Sequence, residues 1–271
     1  MQQTYKKIAV LGGGVMGTVL ARALVETKSS RHITVCEHRA SQRKNLRKIN
    51  SRIQATADIS KCTDAEVLFL AIKPQDFRNI KLKINKQTLV CSIMAGIAIA
   101  DIRKQLKTSK IVRMMPNMAA RVGEGFTVWT ATTKVASKEK KWVKNFLEKI
   151  GAQLYVKSEQ QIDKATAVTG SGPAYILNTL SVFIHAAEEL GFKKEEANQM
   201  VRQVLRGVNA LTKENIDLAE LTRQVASKGG TTEAALEVFA NANLKKTWTR
   251  AITAAYKRAG KLSKQKRQQQ R

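Results

Sequence analysis

The tightest constraint on this chain lies near its start. The apolar run Ile8-Ala9-Val10-Leu11 leads directly into Gly12-Gly13-Gly14-Val15-Met16-Gly17, and an alanine-bearing segment of helical length follows. A G-x-G-x-x-G turn between a strand and a helix suits the close approach of a backbone to a pyrophosphate. The first glycine permits the tight turn and the second admits the ligand. The third allows close strand–helix contact, while the helix N-terminus offers free N–H groups and positive partial charge. The same spacing elsewhere is weak evidence; its position here points to dinucleotide binding, against the plainer reading of a structural turn.

The rest of the first half agrees with that opening. Strand-like runs at residues 7–11, 33–36, 67–71, 88–93, 110–114 and 125–130 alternate with helical patterns at 15–26, 41–52, 100–106 and 137–150. Such alternation predicts βαβ units around a parallel sheet. The run from Val67 to Ile72 shows no polar alternation, as a strand covered on both faces requires. Beyond about residue 160 the strands vanish. Ser171-Gly172-Pro173 reads as a helix start, with serine as cap and proline in the first turn. Apolar residues then recur at helical spacing until Gly191, and further helices fit 194–211, 217–225, 231–241 and 244–262. Two domains are expected, residues 1–160 and 161–271, with a disordered basic tail over 261–271.

Composition removes several classes. The apolar run at Val67–Ile72 is far shorter than the ~20 residues of a membrane span. Lys6, Lys7 and the following apolar stretch imitate a secretory signal, but the triple glycine interrupts it. Cysteines 36, 62 and 91 and histidines 32, 38 and 185 show no metal-ligand spacing, and no metal site is expected. The sparse cysteines suggest a reduced, cytoplasmic protein. A net charge of +27 could attract nucleic acid, anionic membrane or a phosphorylated small molecule.

Three positions should flank a dinucleotide. Glu37, twenty residues beyond Gly17, stands where an acid binds the ribose 2′-hydroxyl of NAD. Arg39, Arg43 and Lys44 follow closely and could instead pair with the 2′-phosphate of NADP, so both cofactors stay open. Ala71-Ile72-Lys73-Pro74 ends a strand at the edge where ligands sit; Lys73 is a candidate general acid, anchor or plain surface lysine. Three more stretches are rich in glycine and hydroxyls: Met115-Pro116-Asn117 with Gly123-Glu124-Gly125, Thr169 to Tyr175, and Ser227 to Thr232. The last places hydroxyls and N–H groups at a helix start, ready for a carboxylate; read alone, it is equally a capped helix after a glycine turn.

Taken together, in this order and from Ile8 to about Lys264, these elements resemble the pyrroline-5-carboxylate reductases, which catalyse the last step of proline synthesis. The resemblance rests on Gly12–Gly17, Ala71–Pro74, Val112–Asn117, Val122–Gly125, Gly170–Tyr175 and Gln224–Thr232. It implies an α/β Rossmann-type parallel-sheet N-terminal domain plus an all-α C-terminal dimerisation domain that interlocks with a second subunit. It also implies NAD(P)H-dependent reduction of 1-pyrroline-5-carboxylate to L-proline. By resemblance, Gly12, Gly14, Val15, Met16 and Gly17 hold the pyrophosphate, and Glu37 occupies the ribose-reading position. Asp58 lies near the adenosine half; Ala71, Lys73, Pro74, Ala95, Gly96 and Asn117 border the nicotinamide. Ser227 and Thr232 are the catalytic candidates, while Gly230, Thr231, Thr232 and Gln224 surround the substrate. Two departures stand out: Lys228 where the family usually has proline, and Glu37 where it commonly has a small or hydroxylated residue.

The chemistry asks little of acid–base groups. A protonated cyclic imine accepts hydride directly, so orientation and carboxylate anchoring dominate. Two rivals are weighed against this reading. β-Hydroxyacid dehydrogenases resemble G-x-G-x-x-x-K at their helix entry, but counting from Gly170 and Gly172 reaches Ile176, which supplies no amine. A nucleic-acid binder would explain nine basic residues against two acids over Lys28–Lys61, and ten basic residues without an acid after Glu237. Aromatics at 5% and the absence of any recognition motif argue against specific nucleic-acid binding.

Overall fold

A computed structural model describes residues 4–212 and 216–268. An eight-stranded sheet organises the first part of the chain. Its strands are β1 (Tyr5–Leu11), β2 (Ser30–Cys36), β3 (Ile53–Thr56), β4 (Val67–Leu70), β5 (Leu89–Ser92), β6 (Ile111–Met115), β7 (Gly125–Ala131) and β8 (Gly151–Tyr155). They lie in the order β3-β2-β1-β4-β5-β6-β7-β8. The pairings from β3 to β6 are all parallel, whereas β7 runs antiparallel to β6 and carries β8 parallel to itself. The expected parallel sheet is therefore mostly parallel, with a reversed edge.

Helices cover both faces: α1 (Val15–Glu26), α2 (Ala40–Arg47), α3 (Ile99–Leu106) and α4 (Ser137–Leu147). The unbroken apolar strands explain the arrangement. On β4, Val67 and Phe69 join one core cluster with α1 and α4, while Leu68 and Leu70 join another with α3. Alternate side chains of one strand thus feed opposite layers. Phe69 meets Phe146 at a ring-centroid distance of 5.1 Å, and Phe146 stacks on Trp142.

Two strands escaped the sequence reading. The segment expected to be helical to residue 52 leaves the helix at Arg47. Asn50 then turns the chain, its side-chain oxygen accepting from the Arg52 N–H at 3.0 Å, and β3 begins at Ile53. The other, β8, is an edge strand whose Leu154 and Tyr155 are exposed, so it lacks the buried alternation that marks a strand.

The remaining helices are α5 (Glu159–Ala165), α6 (Gly172–Glu189), α7 (Lys194–Leu211), α8 (Leu218–Val225), α9 (Thr231–Asn241) and α10 (Leu244–Gln268). The entry to α6 differs from the expected serine-capped start. A π-helical turn over Thr166–Gly170 joins it to α5, and Ser171 closes that turn in αR backbone, its N–H donating to Thr166 O, just ahead of α6. The tail expected to be disordered from residue 261 continues α10 as far as Gln268; residues 269–271 lie outside the described residues. Contacts divide the chain into two compact units. One takes the described residues up to Pro173 together with those from Ala255 onward; the other is Ala174–Ala254.

Candidate active site

The C-terminal ends of six parallel strands bring the first group of site residues to one edge of the sheet. Gly12–Gly17 follow β1, Glu37 follows β2, Asp58 follows β3, Ala71–Pro74 follow β4, Ala95 and Gly96 follow β5, and Asn117 follows β6. Strand order reverses between β1 and β4, where the crevice of such a sheet opens.

The glycine loop sits in that crevice for steric reasons. Gly12 has φ +103°, and a Cβ there would lie 2.5 Å from Ala71 O, so the β1 and β4 ends could not approach. A Cβ on Gly17 would lie 1.8 Å from Gly12 O, which closes strand against helix. Gly14 is different: the nearest atom to its added Cβ would be Arg39 Nη2 at 3.9 Å, leaving open space above the loop. No side chain caps the N-terminus of α1, and its first turn contains no acid. An open concavity floored by uncapped N–H groups fits a pyrophosphate. Thr18 Oγ1 and Gln42 Nε2 both donate to Gly13 O, at 3.2 and 2.7 Å, and brace the loop from behind. Neither was singled out in the sequence, because local spacing marks neither Thr18 reaching back from the first turn of α1 nor Gln42 returning from α2.

Glu37 is buried, and its carboxylate collects four hydrogen bonds. Oε2 accepts from the Gly13 N–H and Arg39 Nη2, both at 3.1 Å; Oε1 accepts from the Arg39 N–H and Arg39 Nε, both at 2.9 Å. Burial opposes its ionisation, but the Arg39 guanidinium and the N–H donors outweigh burial and hold the carboxyl at about 2. Arg43 is pinned by carbonyls, Nη1 donating to Glu37 O and His38 O. Asp58 begins a short 3-10 turn over Ile59–Cys62, and its side chain accepts from the Ser60 N–H at 2.9 Å, which lowers its pKa. Beside it, the buried thiols of Cys36 and Cys62 lie 2.7 Å apart, a pairing that a 26-residue separation hides in the sequence.

On the other flank Lys73 is exposed, and no bond of its ammonium group occurs among the described residues. Gly96 takes φ +72° in the turn after β5. Asn117 proves to be a tether: Nδ2 donates to Thr169 O at 3.0 Å, and Oδ1 accepts from the Phe126 N–H at 3.2 Å. It therefore ties the end of β6 to the π-helical turn ahead of Gly170. Arg113, buried on β6, secures the same region by donating to Glu159 and Asp163 of α5 at 2.9 and 2.6 Å.

The substrate candidates lie in the second unit. Gly229 has φ +70°, and Gly230 precedes the first turn of α9 without a side-chain cap. The Gly230 N–H donates to Ser227 O at 3.0 Å, and a Cβ on Gly230 would lie 2.5 Å from Ser227 Oγ, so only glycine lets that hydroxyl lie against the loop. Thr231 is exposed and Thr232 half-buried, while Gln224 Nε2 donates to Glu220 at 3.3 Å. The structure adds Glu233, whose carboxylate accepts from the Gly229 N–H at 2.6 Å. An acid three residues past the N-cap Gly230 was the available sequence signal.

A sheet reversing at a glycine loop, with an acid at the end of the second strand, is the architecture of a Rossmann-type dinucleotide-binding protein. The comparisons with known proteins sharpen this. The profile described as "NADP oxidoreductase coenzyme F420-dependent" matches residues 7–96, and "Pyrroline-5-carboxylate reductase dimerisation" matches residues 159–262. Pyrroline-5-carboxylate reductase of Staphylococcus aureus is 32% identical over 212 residues, 76% of this chain and 78% of its own. The solved Coxiella burnetii pyrroline-5-carboxylate reductase superposes with a TM-score of 0.83 at 31% identity, covering 94% of this chain and 98% of that one. A Plasmodium falciparum pyrroline carboxylate reductase solved with NADP shares the fold, with a TM-score of 0.81 at 24% identity over 96% and 99% of the two chains. The chain belongs to the pyrroline-5-carboxylate reductase family.

Proposed function

We propose that the protein reduces 1-pyrroline-5-carboxylate to L-proline with NADPH or NADH. The observation that carries this reading is the open, uncapped glycine loop at the β1/β4 reversal in a chain of this family. The reduced nicotinamide supplies the hydride. Gly12, Gly14, Val15, Met16 and Gly17 bind the pyrophosphate through backbone N–H groups, and Asp58 borders the adenosine. Ala71, Lys73, Pro74, Ala95 and Gly96 line the nicotinamide side, which Asn117 steadies through its two backbone bonds.

Ser227, Gly230 and Thr231 hold the substrate carboxylate at the start of α9, with Gln224 adjoining and Lys228 adding positive charge at the loop. Thr232 hydrogen-bonds the ring nitrogen, which must carry a proton for the adjacent carbon to accept hydride. Positioning supplies most of the rate in such a step. Residues 1–160 act as the nucleotide domain and 161–271 as the substrate and dimerisation domain. No helix among the described residues is long and apolar enough to cross a membrane. We place the enzyme in the cytoplasm, with the basic surface as solvated helix faces.

Two such chains pair through their helical regions. The apolar stripe of α7 supports this: Ala197 and Val201 are buried, yet Val204, Val208 and Leu211 farther along the same face are exposed.

Spectrophotometric oxidation of NADPH and NADH with 1-pyrroline-5-carboxylate tests the reading, with 3-hydroxyisobutyrate as the rival substrate. Proline formation is expected, and Thr232→Val lowers turnover on the order of 100-fold while cofactor binding stays intact. Unchanged catalytic efficiency in that variant removes Thr232 from the mechanism.

A further inference from the structure

The acid at the end of β2 is the position from which an NAD-binding site receives the ribose hydroxyls. In this chain its acceptor capacity is already taken. Each carboxylate oxygen of Glu37 receives one backbone N–H and one guanidinium nitrogen, and His38 Nδ1 lies a further 3.3 Å from Oε1. The two side-chain bonds form a parallel fork, Nε to Oε1 and Nη2 to Oε2, the geometry in which an arginine–carboxylate pair is strongest. A ribose diol could bind Glu37 only by displacing this fork and freeing the guanidinium.

The fork also fixes where Arg39 points. The carboxylate is 3% exposed and the Arg39 side chain 54%, so the guanidinium covers Glu37 and turns its outer edge to solvent. That outer edge carries Nη1, which makes no hydrogen bond among the described residues. The fork nitrogen Nη2 is the side of the guanidinium nearest Gly14, the open glycine of the loop, 3.9 Å from where a Cβ there would stand. Arg43 adds a second positive charge, held close by its bonds to the Glu37 and His38 carbonyls. Glu37 and Arg39 cancel, so Arg43 leaves the immediate cluster net positive.

We propose that Glu37 is a positioning residue for Arg39 and not the ribose acceptor, so that the pair presents the free guanidinium edge to the 2′-phosphate of NADPH and selects it over NADH. This rests on the reading of the glycine loop as the nucleotide site. It assigns the unusual acid a role opposite to the one its position suggests.

Calorimetric titration of the full-length protein at pH 8 with adenosine 2′,5′-bisphosphate and with 5′-AMP tests it without any imine. The wild type should bind the bisphosphate at least tenfold more tightly. Arg39→Ala should erase that ratio, and Arg39→Lys, which keeps charge but loses the fork, should restore only part of it. Glu37→Ala should weaken the bisphosphate severalfold with little change for 5′-AMP, whereas Glu37→Gln, which keeps one of the fork's two acceptor oxygens, should retain part of the ratio. A purely structural Glu37 would move both ligands together, and that result overturns the proposal. Tighter bisphosphate binding in Glu37→Ala, or selective loss of 5′-AMP, overturns it as well. A protein that fails to reduce the imine yet shows these ratios retains this assignment and loses only the substrate reading.

Discussion

The two units treat their apolar side chains in opposite ways. In the sheet unit, Leu24, Leu68, Phe69, Leu70, Ile102 and Phe146 are each almost wholly buried. Among the described residues of Ala174–Ala254 the buried hydrophobic ones are Ala187, Ala197 and Val201, while leucines, valines and phenylalanines stand exposed along α6, α7 and α9. The first unit closes its core with its own chain. The second carries helices whose periodicity is as regular, but whose apolar faces exceed what the chain itself covers. A helix pattern specifies that a face must be buried without specifying by what.

The largest expected effect breaks the second unit's side of this contrast. Val204→Asp with Val208→Asp places two charges on the uncovered stripe of α7. Light scattering after size exclusion should show the proposed dimer lost, with dissociation favoured more than 100-fold and proline formation lost with it. A variant that remains a full dimer would show that this face is not the one that pairs. Phe69→Ala, in the sheet unit, should act through the chain alone. It removes a ring packed against Phe146 and Trp142 and should cost about 3–5 kcal/mol. Its loss in denaturant midpoint should be the same at low and high protein concentration; dependence on concentration would tie the sheet core to assembly and undo the comparison.

The same contrast explains what could be read in advance. The glycine loop, the strands around it and most helices were legible because their apolar patterning and turn glycines are written in contiguous residues. The short β3 and the exposed edge β8 were not, since pairing with a strand already in place creates them. At the site, the positions of Glu37 and Ala71 followed from strand ends and that of Asp58 from the family resemblance, but their partners did not. Two residues of separation between Glu37 and Arg39 give no hint of a two-point fork, and Asn117 gives none of its bond to Thr169, fifty-two residues away. Ser171 misled in the other direction. A serine before Gly-Pro reads as a cap, yet the π-helical turn arriving from α5 had already claimed its backbone.

The smallest effect sharpens the comparison at the level of single charges. Burial pushes the Glu37 carboxyl up, but the Arg39 fork and backbone donors pull it from an ordinary 4.5 down to about 2. A carboxyl depressed in the folded state stabilises the fold above its unfolded pKa. That contribution is lost as pH falls from about 4.5 toward 2. Wild type and Glu37→Gln should therefore differ by roughly 1–3 kcal/mol at neutral pH and converge in acid. In the helical unit, Glu220 pairs with Arg223 on an open surface, where solvent screens the attraction. Glu220→Gln should change stability by less than about 0.5 kcal/mol at neutral pH. Denaturant titrations of both variants from pH 7 to pH 3 measure the difference. Parallel curves for wild type and Glu37→Gln would mean that the fork stores no stability, leaving its role to the ligand alone.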